Sequence, residues 1–313
     1  MNRSGSELGE SQRVNDARLD ELATEAGSAP EADYDLRPTI ELVRLMNASD
    51  ETVPAAVGAA SAAIALVAEA VAESLGRSGR LIYVGAGSSG RIAALDAAEC
   101  ESTFSTPPGT VVALVAGGVN ASPLEQEAAE DDRDAGAADV SALELRPEDV
   151  VVGVSASGRT PYVLGAIEAA AGAGTRTACV VSVTGSALEA AVEHPIVVLV
   201  GPEFLAGSTR LKAGTAQKLV LNMLSTISMI RLGKTFGNLM VDVAATNEKL
   251  RARVRRIVGA ATAASPEQVD VALAAADGDA KVAIVSLLAD IDAGEARTRL
   301  DEAGQSIRLA LER

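Results

Sequence analysis

The chain contains few of the residues that metal and disulfide chemistry require. Among its 313 residues there is one histidine, His194, and there are two cysteines, Cys100 and Cys179. Neither a His/Cys zinc cage nor a disulfide framework can therefore be assembled within one chain. We expect these three residues to be structural, and the low cysteine content predicts a reducing, cytoplasmic location.

Positive charge and long apolar segments are also scarce. The chain has 27 basic and 43 acidic side chains, so its net charge is −16. Because such a surface does not gather polyanions, we expect no nucleic acid and no membrane as a partner, and an anionic ligand must be bound by local groups. The longest apolar stretch, 55–68, is shorter than the ~20 residues of a membrane span, and the N-terminus does not resemble a secretion signal.

The pattern of hydrophobic residues predicts an α/β fold. Five short β-rich segments alternate with helical stretches, at 80–84, 110–116, 150–155, 177–183 and 196–200. Strands that are apolar on both faces and separated by helices form a parallel sheet covered on both sides. We therefore predict a doubly wound parallel sheet, preceded by a packing helix at 53–75 and followed by long helices at 211–228 and 238–258.

The two ends of the chain differ from the sheet region. Residues 1–17 are polar and acidic, which predicts a flexible tail. From residue 259 onward, helical patterns replace the strands and span about 265–275, 281–288 and 293–311. We therefore divide the chain into a tail at 1–17, a sheet domain at 18–258 and a small all-helical subdomain at 259–313.

The first candidate binding loop follows the first predicted strand. Residues 85–90 read Gly-Ala-Gly-Ser-Ser-Gly and fit the G-x-G-x-x-G pattern of dinucleotide-binding sites. Such a site also needs an acidic residue at the end of the second strand, where this chain has Val-Ala-Gly-Gly at 115–118. The missing carboxylate makes a dinucleotide the less favoured ligand.

A second polar loop, Ser-Ala-Ser-Gly-Arg-Thr at 155–160, also leads from a strand into a helix. Glycine lets the backbone approach an anion, while short hydroxyls and the free N–H groups of a helix N-terminus donate hydrogen bonds to it. The alternative is that the hydroxyls only cap helices, as predicted for Ser122 and Thr160 before prolines. We favour a phosphate site formed by both loops, with these candidate residues: Ser88, Ser89, Ser155, Ser157, Gly158 and Thr160.

Longer motifs resemble a known family. The loop at 155–160 resembles the Ser-x-Ser-Gly-x-Thr phosphate loop of sugar isomerase (SIS) domains, which bind phosphosugars on a doubly wound sheet. From about Leu22 to the end, the chain is similar to N-acetylmuramic acid 6-phosphate etherases, most clearly at 85–91, 95–100, 156–162, 207–218 and 237–242. The resemblance implies a carbon–oxygen lyase, without metal or redox cofactor, in the recycling of cell-wall sugars.

The resemblance also implies a reaction and its candidate groups. The lactyl ether on carbon 3 of the sugar phosphate is cleaved, giving N-acetylglucosamine 6-phosphate and D-lactate. Elimination needs a base for the proton on carbon 2 and an acid for the departing alkoxide, before water adds to the unsaturated aldehyde. Motif matches place the essential glutamates at Glu99 and Glu130, and we favour Glu99 as the acid.

Two further charged residues are candidates for the site. Glu127 precedes Glu130 by three residues and shares its helix face, so it can point into the same site. Lys212, together with Arg210 and Lys218, brings positive charge to a glycine-rich segment before a long helix, which suits a carboxylate or a phosphate. A capping role or a contact with a second subunit is the alternative for these cations.

The position of Glu99 poses a geometric problem. It follows Ser89 by ten residues, so a straight helix would place it ~15 Å from the loop, beyond the reach of one hexose phosphate. Either the helix bends back after Asp96 or Glu99 serves a site shared with a second subunit. We therefore expect a homodimer with shared active sites, as SIS proteins commonly pair.

Two other functions stay open at this point. One is a noncatalytic sugar-phosphate sensor like the glucokinase regulatory protein, and the other is a sugar-phosphate isomerase of the same fold. The chain also departs from the family pattern, with Glu101 and Ser102 in place of two prolines and Val119 in place of an acidic residue. Both glutamates and both loops are retained, so the etherase remains the preferred function.

Overall fold

The computed structural model of the chain describes residues 33–243 and 248–312. The predicted tail at 1–17 lies outside these residues. Five parallel strands form the central sheet in the order β2-β1-β3-β4-β5. They are β1 Leu81–Gly85, β2 Val111–Val115, β3 Val150–Val154, β4 Arg176–Val181 and β5 His194–Val197. Each overlaps one of the predicted strands, so the predicted parallel sheet is confirmed.

Helices precede the sheet, connect its strands and follow it. A short 3₁₀ helix at Tyr34–Leu36 comes first. The helices are α1 Thr39–Asp50, α2 Val53–Ala59, α3 Ser61–Gly76, α4 Gly87–Phe104, α5 Pro123–Glu130, α6 Arg133–Ser141, α7 Pro161–Gly172, α8 Ala187–Ala190, α9 Lys212–Arg231, α10 Glu248–Thr262, α11 Pro266–Ala275, α12 Ala280–Ala289, α13 Ala293–Glu302 and α14 Ile307–Leu311. A two-stranded antiparallel hairpin, β6 Thr235–Phe236 and β7 Leu239–Met240, follows α9.

The sheet is doubly wound, with helices on both of the faces to which successive side chains of each strand point. On one face, Leu81 and Tyr83 of β1 pack in a buried cluster with α2, α3, α4 and α9. On the other face, Ile82 and Val84 belong to a second buried cluster with α6, α7 and α8. Both faces are therefore covered by helices, and ligands can reach the strands only at their ends.

Three predicted helices differ from the observed ones, each at a local break. The predicted helix at 53–75 is interrupted at Ala60, which is not helical and separates α2 from α3. The segment predicted to be helical from 238 begins instead with β7, because Gly237, at φ 59°, turns the chain between β6 and β7. The last predicted helix is split into α13 and α14, since Gly304 and Gln305 adopt left-handed conformations.

The C-terminal helices have a core of their own. Side chains from α10 to α14 form a third buried cluster, which includes Ile257, Ile284 and Leu300. The predicted helical C-terminal region is thus confirmed. Within 33–243 and 248–312, no single helix is long and apolar enough to cross a membrane. One pair of consecutive segments, Thr39–Ala59 and Ser61–Gly76, has the length and apolar composition of a span when taken together, but the two are bent by 62° relative to each other.

Candidate active site

A cavity of about 430 Å³ lies at the carboxyl ends of β1 and β3. The strand order reverses here, because β1 lies between β2 and β3, and the helices that follow β1 and β3 pack on opposite faces. Parallel sheets bind their ligands at such switch points. The cavity is lined by Ala86, Gly87, Ser88, Ser89, Glu130, Ser155, Ala156, Ser157, Thr160, Gly207, Ser208, Thr209 and Arg210. Both predicted loops therefore meet in one place.

The first loop brings the start of α4 against the end of β1. A Cβ atom added at Gly90 would lie only 2.8 Å from the carbonyl oxygen of Gly85, so the two glycines allow a close contact between helix and strand. Ala86, the residue before the helix, has no side-chain cap. The first N–H groups of a helix have no intrahelical partners, so those of α4 are available to an anion.

The second loop is held by its own hydroxyls. The Gly158 N–H donates to Ser155 Oγ at 3.1 Å, and the Arg159 N–H donates to Ser157 Oγ at 3.3 Å. Gly158 has φ 62°, and a Cβ there would lie 2.3 Å from Ser186 Oγ, so a larger residue would strain the turn. The loop thus keeps Ser155 and Ser157 at the cavity wall through local hydrogen bonds.

The two predicted helix caps have different outcomes. Ser122 does cap α5, because its hydroxyl accepts from the Glu125 N–H and the Glu125 carboxylate accepts from the Ser122 N–H. Thr160 does not cap α7, so that prediction was wrong. Its hydroxyl is instead hydrogen-bonded to Ser155 Oγ at 2.9 Å and donates to Glu130 Oε1 at 3.4 Å. Thr160 therefore links the second loop to a glutamate.

Glu130 is the last residue of α5, and its carboxylate faces both loops. A Cβ added at Gly87 would lie 3.7 Å from Glu130 Oε2, which places the carboxylate beside the start of α4. Partial burial raises the pKa of Glu130, the Thr160 hydrogen bond opposes this shift, and the charges of Asp131 and Glu127 add to it. A carboxyl group with a raised pKa exchanges protons more readily near neutral pH.

Glu99 lies elsewhere in the same chain. Helix α4 is unbroken from Gly87 to Phe104, so the predicted bend after Asp96 is wrong. The side chain of Glu99 is exposed and lines a separate small cavity between α4 and α9. The structure therefore does not bring Glu99 together with Glu130 within one chain.

Two other candidates also lie outside the cavity lining. Glu127 is exposed and reaches the site only through its charge, which raises the pKa of Glu130. Lys212 is buried. Its ammonium group donates to the Val200 carbonyl at 2.7 Å, and its backbone N–H donates to the Glu203 carboxylate at 2.8 Å. Lys212 therefore anchors the start of α9, and this geometry does not support its predicted contact with a ligand.

A third loop contributes to the cavity, and the sequence identified it by its cations rather than by its hydroxyl residues Ser208 and Thr209. Ser208, Thr209 and Arg210 line it, just before α9. The signal for these hydroxyls was present, because Gly207 is followed by a serine and a threonine before a helix, as Gly87 is followed by two serines. The family departures Glu101, Ser102 and Val119 are exposed and do not line the cavity.

Comparisons with known proteins relate this site to a family. A family model described as the glucokinase regulatory protein N-terminal SIS domain matches residues 63–171. The N-acetylmuramic acid 6-phosphate etherase of Streptomyces avermitilis is 55% identical, and the match covers 94% of this chain and 95% of that one. The etherase of Rubrobacter xylanophilus is 56% identical over 95% of this chain and 98% of that one. An Escherichia coli etherase is 48% identical, covering 95% and 99% of the two chains.

Proposed function

This chain belongs to the N-acetylmuramic acid 6-phosphate etherase family, and we propose that its chemistry takes place in the cavity at the carboxyl ends of β1 and β3. The protein is an enzyme, a carbon–oxygen lyase that cleaves the lactyl ether of N-acetylmuramic acid 6-phosphate. The observation that carries our assignment of the site is the convergence of two hydroxyl loops and Glu130 in one cavity.

The 6-phosphate binds between the two loops. It accepts hydrogen bonds from the free N–H groups at the start of α4 and from the Ser157 hydroxyl, with Ser88 and Ser89 on the opposite wall. Ser155 and Thr160 line the same wall, and their hydroxyls link the second loop to Glu130. Among the described residues that line this cavity, Arg210 is the one basic side chain, and its charge offsets that of the phosphate. An acidic protein thus binds a dianion through local donors.

The chemistry begins with the open-chain aldehyde form of the sugar. A carboxylate removes the proton from carbon 2, the C–H electron pair forms the carbon 2–carbon 3 double bond, and the bond from carbon 3 to the ether oxygen breaks. A protonated carboxyl group gives its proton to that oxygen, which leaves as the hydroxyl of D-lactate. Water then adds, with its hydroxyl on carbon 3 and a proton on carbon 2.

We assign the base to Glu130 and the acid to Glu99 of a second copy of the chain. Glu130 lies in the phosphate cavity, whereas Glu99 is exposed on α4 in a separate cavity. A large apolar side chain is exposed beside Glu99, since Leu95 lines the same cavity and is 52% exposed. A homodimer would bury this surface and bring Glu99 to the partner's cavity. We place the enzyme in the cytoplasm, in the recycling of cell-wall sugars.

A direct assay distinguishes the three functions that the sequence left open. The protein is incubated with N-acetylmuramic acid 6-phosphate, and D-lactate is measured with time. We expect stoichiometric lactate and N-acetylglucosamine 6-phosphate. Formation of a ketose phosphate without lactate would favour an isomerase, and binding of fructose 6-phosphate without turnover would favour a sensor.

Ser157→Ala should weaken binding of N-acetylglucosamine 6-phosphate by about 10-fold, because a hydrogen bond to a charged group contributes about 1.5 kcal/mol or more. Calorimetric titration measures the change. Ser141→Ala, an exposed serine at the end of α6, is the matched control and should bind normally. An equal loss of affinity for unphosphorylated N-acetylglucosamine would show that Ser157 does not bind the phosphate.

The pH dependence of turnover should report the Glu130 carboxylate. As the base, Glu130 must be deprotonated, so kcat should fall as the pH drops through a pKa that burial has raised. Thr160→Val removes a hydrogen bond that lowers this pKa and should move the acidic limb of the kcat profile to higher pH. A limb at the same pH in both proteins, or a shift to lower pH, would contradict the assignment.

A further inference from the structure

The cavity that contains Glu99 also contains a cation. This cavity, the Glu99 notch, has a volume of about 50 Å³ and is lined by Ile92, Leu95, Asp96, Glu99, Lys218, Leu221 and Asn222. Lys218 is the only basic side chain of that lining, and it comes from α9, which packs against α4. Since a water molecule occupies about 30 Å³, the notch can admit a carboxylate group but not a hexose.

A chain of hydrogen bonds holds the Lys218 ammonium group at the notch. In the amide orientation that satisfies both neighbours, Asn222 accepts from Lys218 Nζ and donates to Asp96 Oδ1 at 3.2 Å. Asp96 is buried, and its carboxylate also accepts from Ser225 Oγ and Tyr83 Oη, each at 3.0 Å. Asn222 thus holds the ammonium group of this exposed lysine at the notch.

The substrate requires a cation beside the acid. In the lactyl ether, a single carbon separates the ether oxygen from the carboxylate, so the acid that protonates the oxygen lies within a few ångströms of that negative charge. Without a positive partner, the lactyl carboxylate would repel the carboxylate that Glu99 becomes after it gives up its proton. Arg210 lines the phosphate cavity and not the notch, so it is not the cation beside Glu99.

We propose that Lys218 binds the lactyl carboxylate of the substrate while Glu99 protonates the ether oxygen. This inference rests on the proposed function and adds the residue that recognises the leaving group. The proton that lactate gains comes from Glu99, and Lys218 contributes only its positive charge. Asn222 and Asp96 act as positioning residues, because Asn222 contacts Lys218 and Asp96 contacts Asn222.

The test compares two ethers that differ in one group. The natural substrate carries the lactyl carboxylate, whereas 3-O-ethyl-N-acetylglucosamine 6-phosphate keeps the ether and the phosphate but lacks the carboxylate. Lys218→Met should lower kcat/KM for the lactyl ether by at least ~30-fold, the effect of losing one partner of a charge pair that the bound substrate and the second subunit shield from water. For the ethyl ether it should change kcat/KM by no more than about twofold, because no carboxylate is present.

Two variants accompany this comparison. Lys218→Arg keeps the charge and should recover part of the kcat/KM lost in Lys218→Met. Arg231→Met removes an exposed positive charge from the far end of α9 and should leave both rates unchanged. Equal losses on both ethers in Lys218→Met, or no loss on the lactyl ether, would overturn the proposal. Failure of the wild-type enzyme to release lactate would instead overturn the proposed function.

Discussion

Glu130→Gln should lower the turnover of N-acetylmuramic acid 6-phosphate by at least ~100-fold, because general acid–base catalysis by a positioned side chain contributes about that factor or more. The amide keeps the size of the side chain and can still accept the Thr160 hydrogen bond, but it cannot take the proton from carbon 2. Binding of N-acetylglucosamine 6-phosphate should remain within about threefold of the wild-type value, since the phosphate is held by the loops.

The control is an exposed glutamate that lies far from the site. Glu148 lies just before β3, at the amino ends of the strands and away from the cavity, so Glu148→Gln should turn over at the wild-type rate. Release of D-lactate in the steady state measures both variants. Near-normal turnover in Glu130→Gln would remove this residue from the mechanism, whatever its distance from the loops.

A mixture of two inactive variants should be active. Glu99→Gln and Glu130→Gln each remove one of the two proton-transfer groups, so each alone should lose at least ~100-fold in turnover. If Glu99 serves the partner's cavity, half of the dimers in an equal, re-equilibrated mixture are mixed, and each of these has one intact site. The mixture should therefore recover about a quarter of the wild-type turnover, as expected for a twofold-symmetric dimer with shared sites.

The same mixture separates the shared site from its alternative. If Glu99 and Glu130 of one chain acted together, every site in the mixture would lack one group, and no activity would return. A mixture of Glu99→Gln with Glu99→Ala is the control, because neither chain supplies Glu99 and no site can be restored. Recovery in the first mixture and not in the second would locate Glu99 in the partner's site.

The binding loops could be predicted from the sequence because the chemistry of each loop is local. A buried strand that ends in glycine and short hydroxyl residues before a helix places its donors at the edge of a parallel sheet. The glycine at 158 is needed for the turn itself, since its φ is 62°. The strands around these loops were also located correctly, because their apolar runs are short and bounded by polar segments.

Other features could not be predicted, because the sequence does not tell which way a side chain points. Lys212 and Lys218 both belong to α9, yet the ammonium group of Lys212 turns inward to the Val200 carbonyl, beside Glu203, which accepts from the N–H at the start of the helix. Thr160 stands where a helix cap is expected, but its hydroxyl is bound instead by Ser155 of the same loop and by Glu130, which the fold brings close. The helical spacing of hydrophobic residues continues through Ala60, although one helix ends at Ala59 and the next begins at Ser61.

The most direct test of the account is a crystal structure of Glu130→Gln with N-acetylglucosamine 6-phosphate bound. We expect the phosphate at the start of α4, within hydrogen-bond distance of the Ser157 hydroxyl, and carbons 2 and 3 of the sugar directed toward position 130. A phosphate bound outside the two loops, or a sugar whose carbon 3 is turned away from position 130 in every copy, would contradict it.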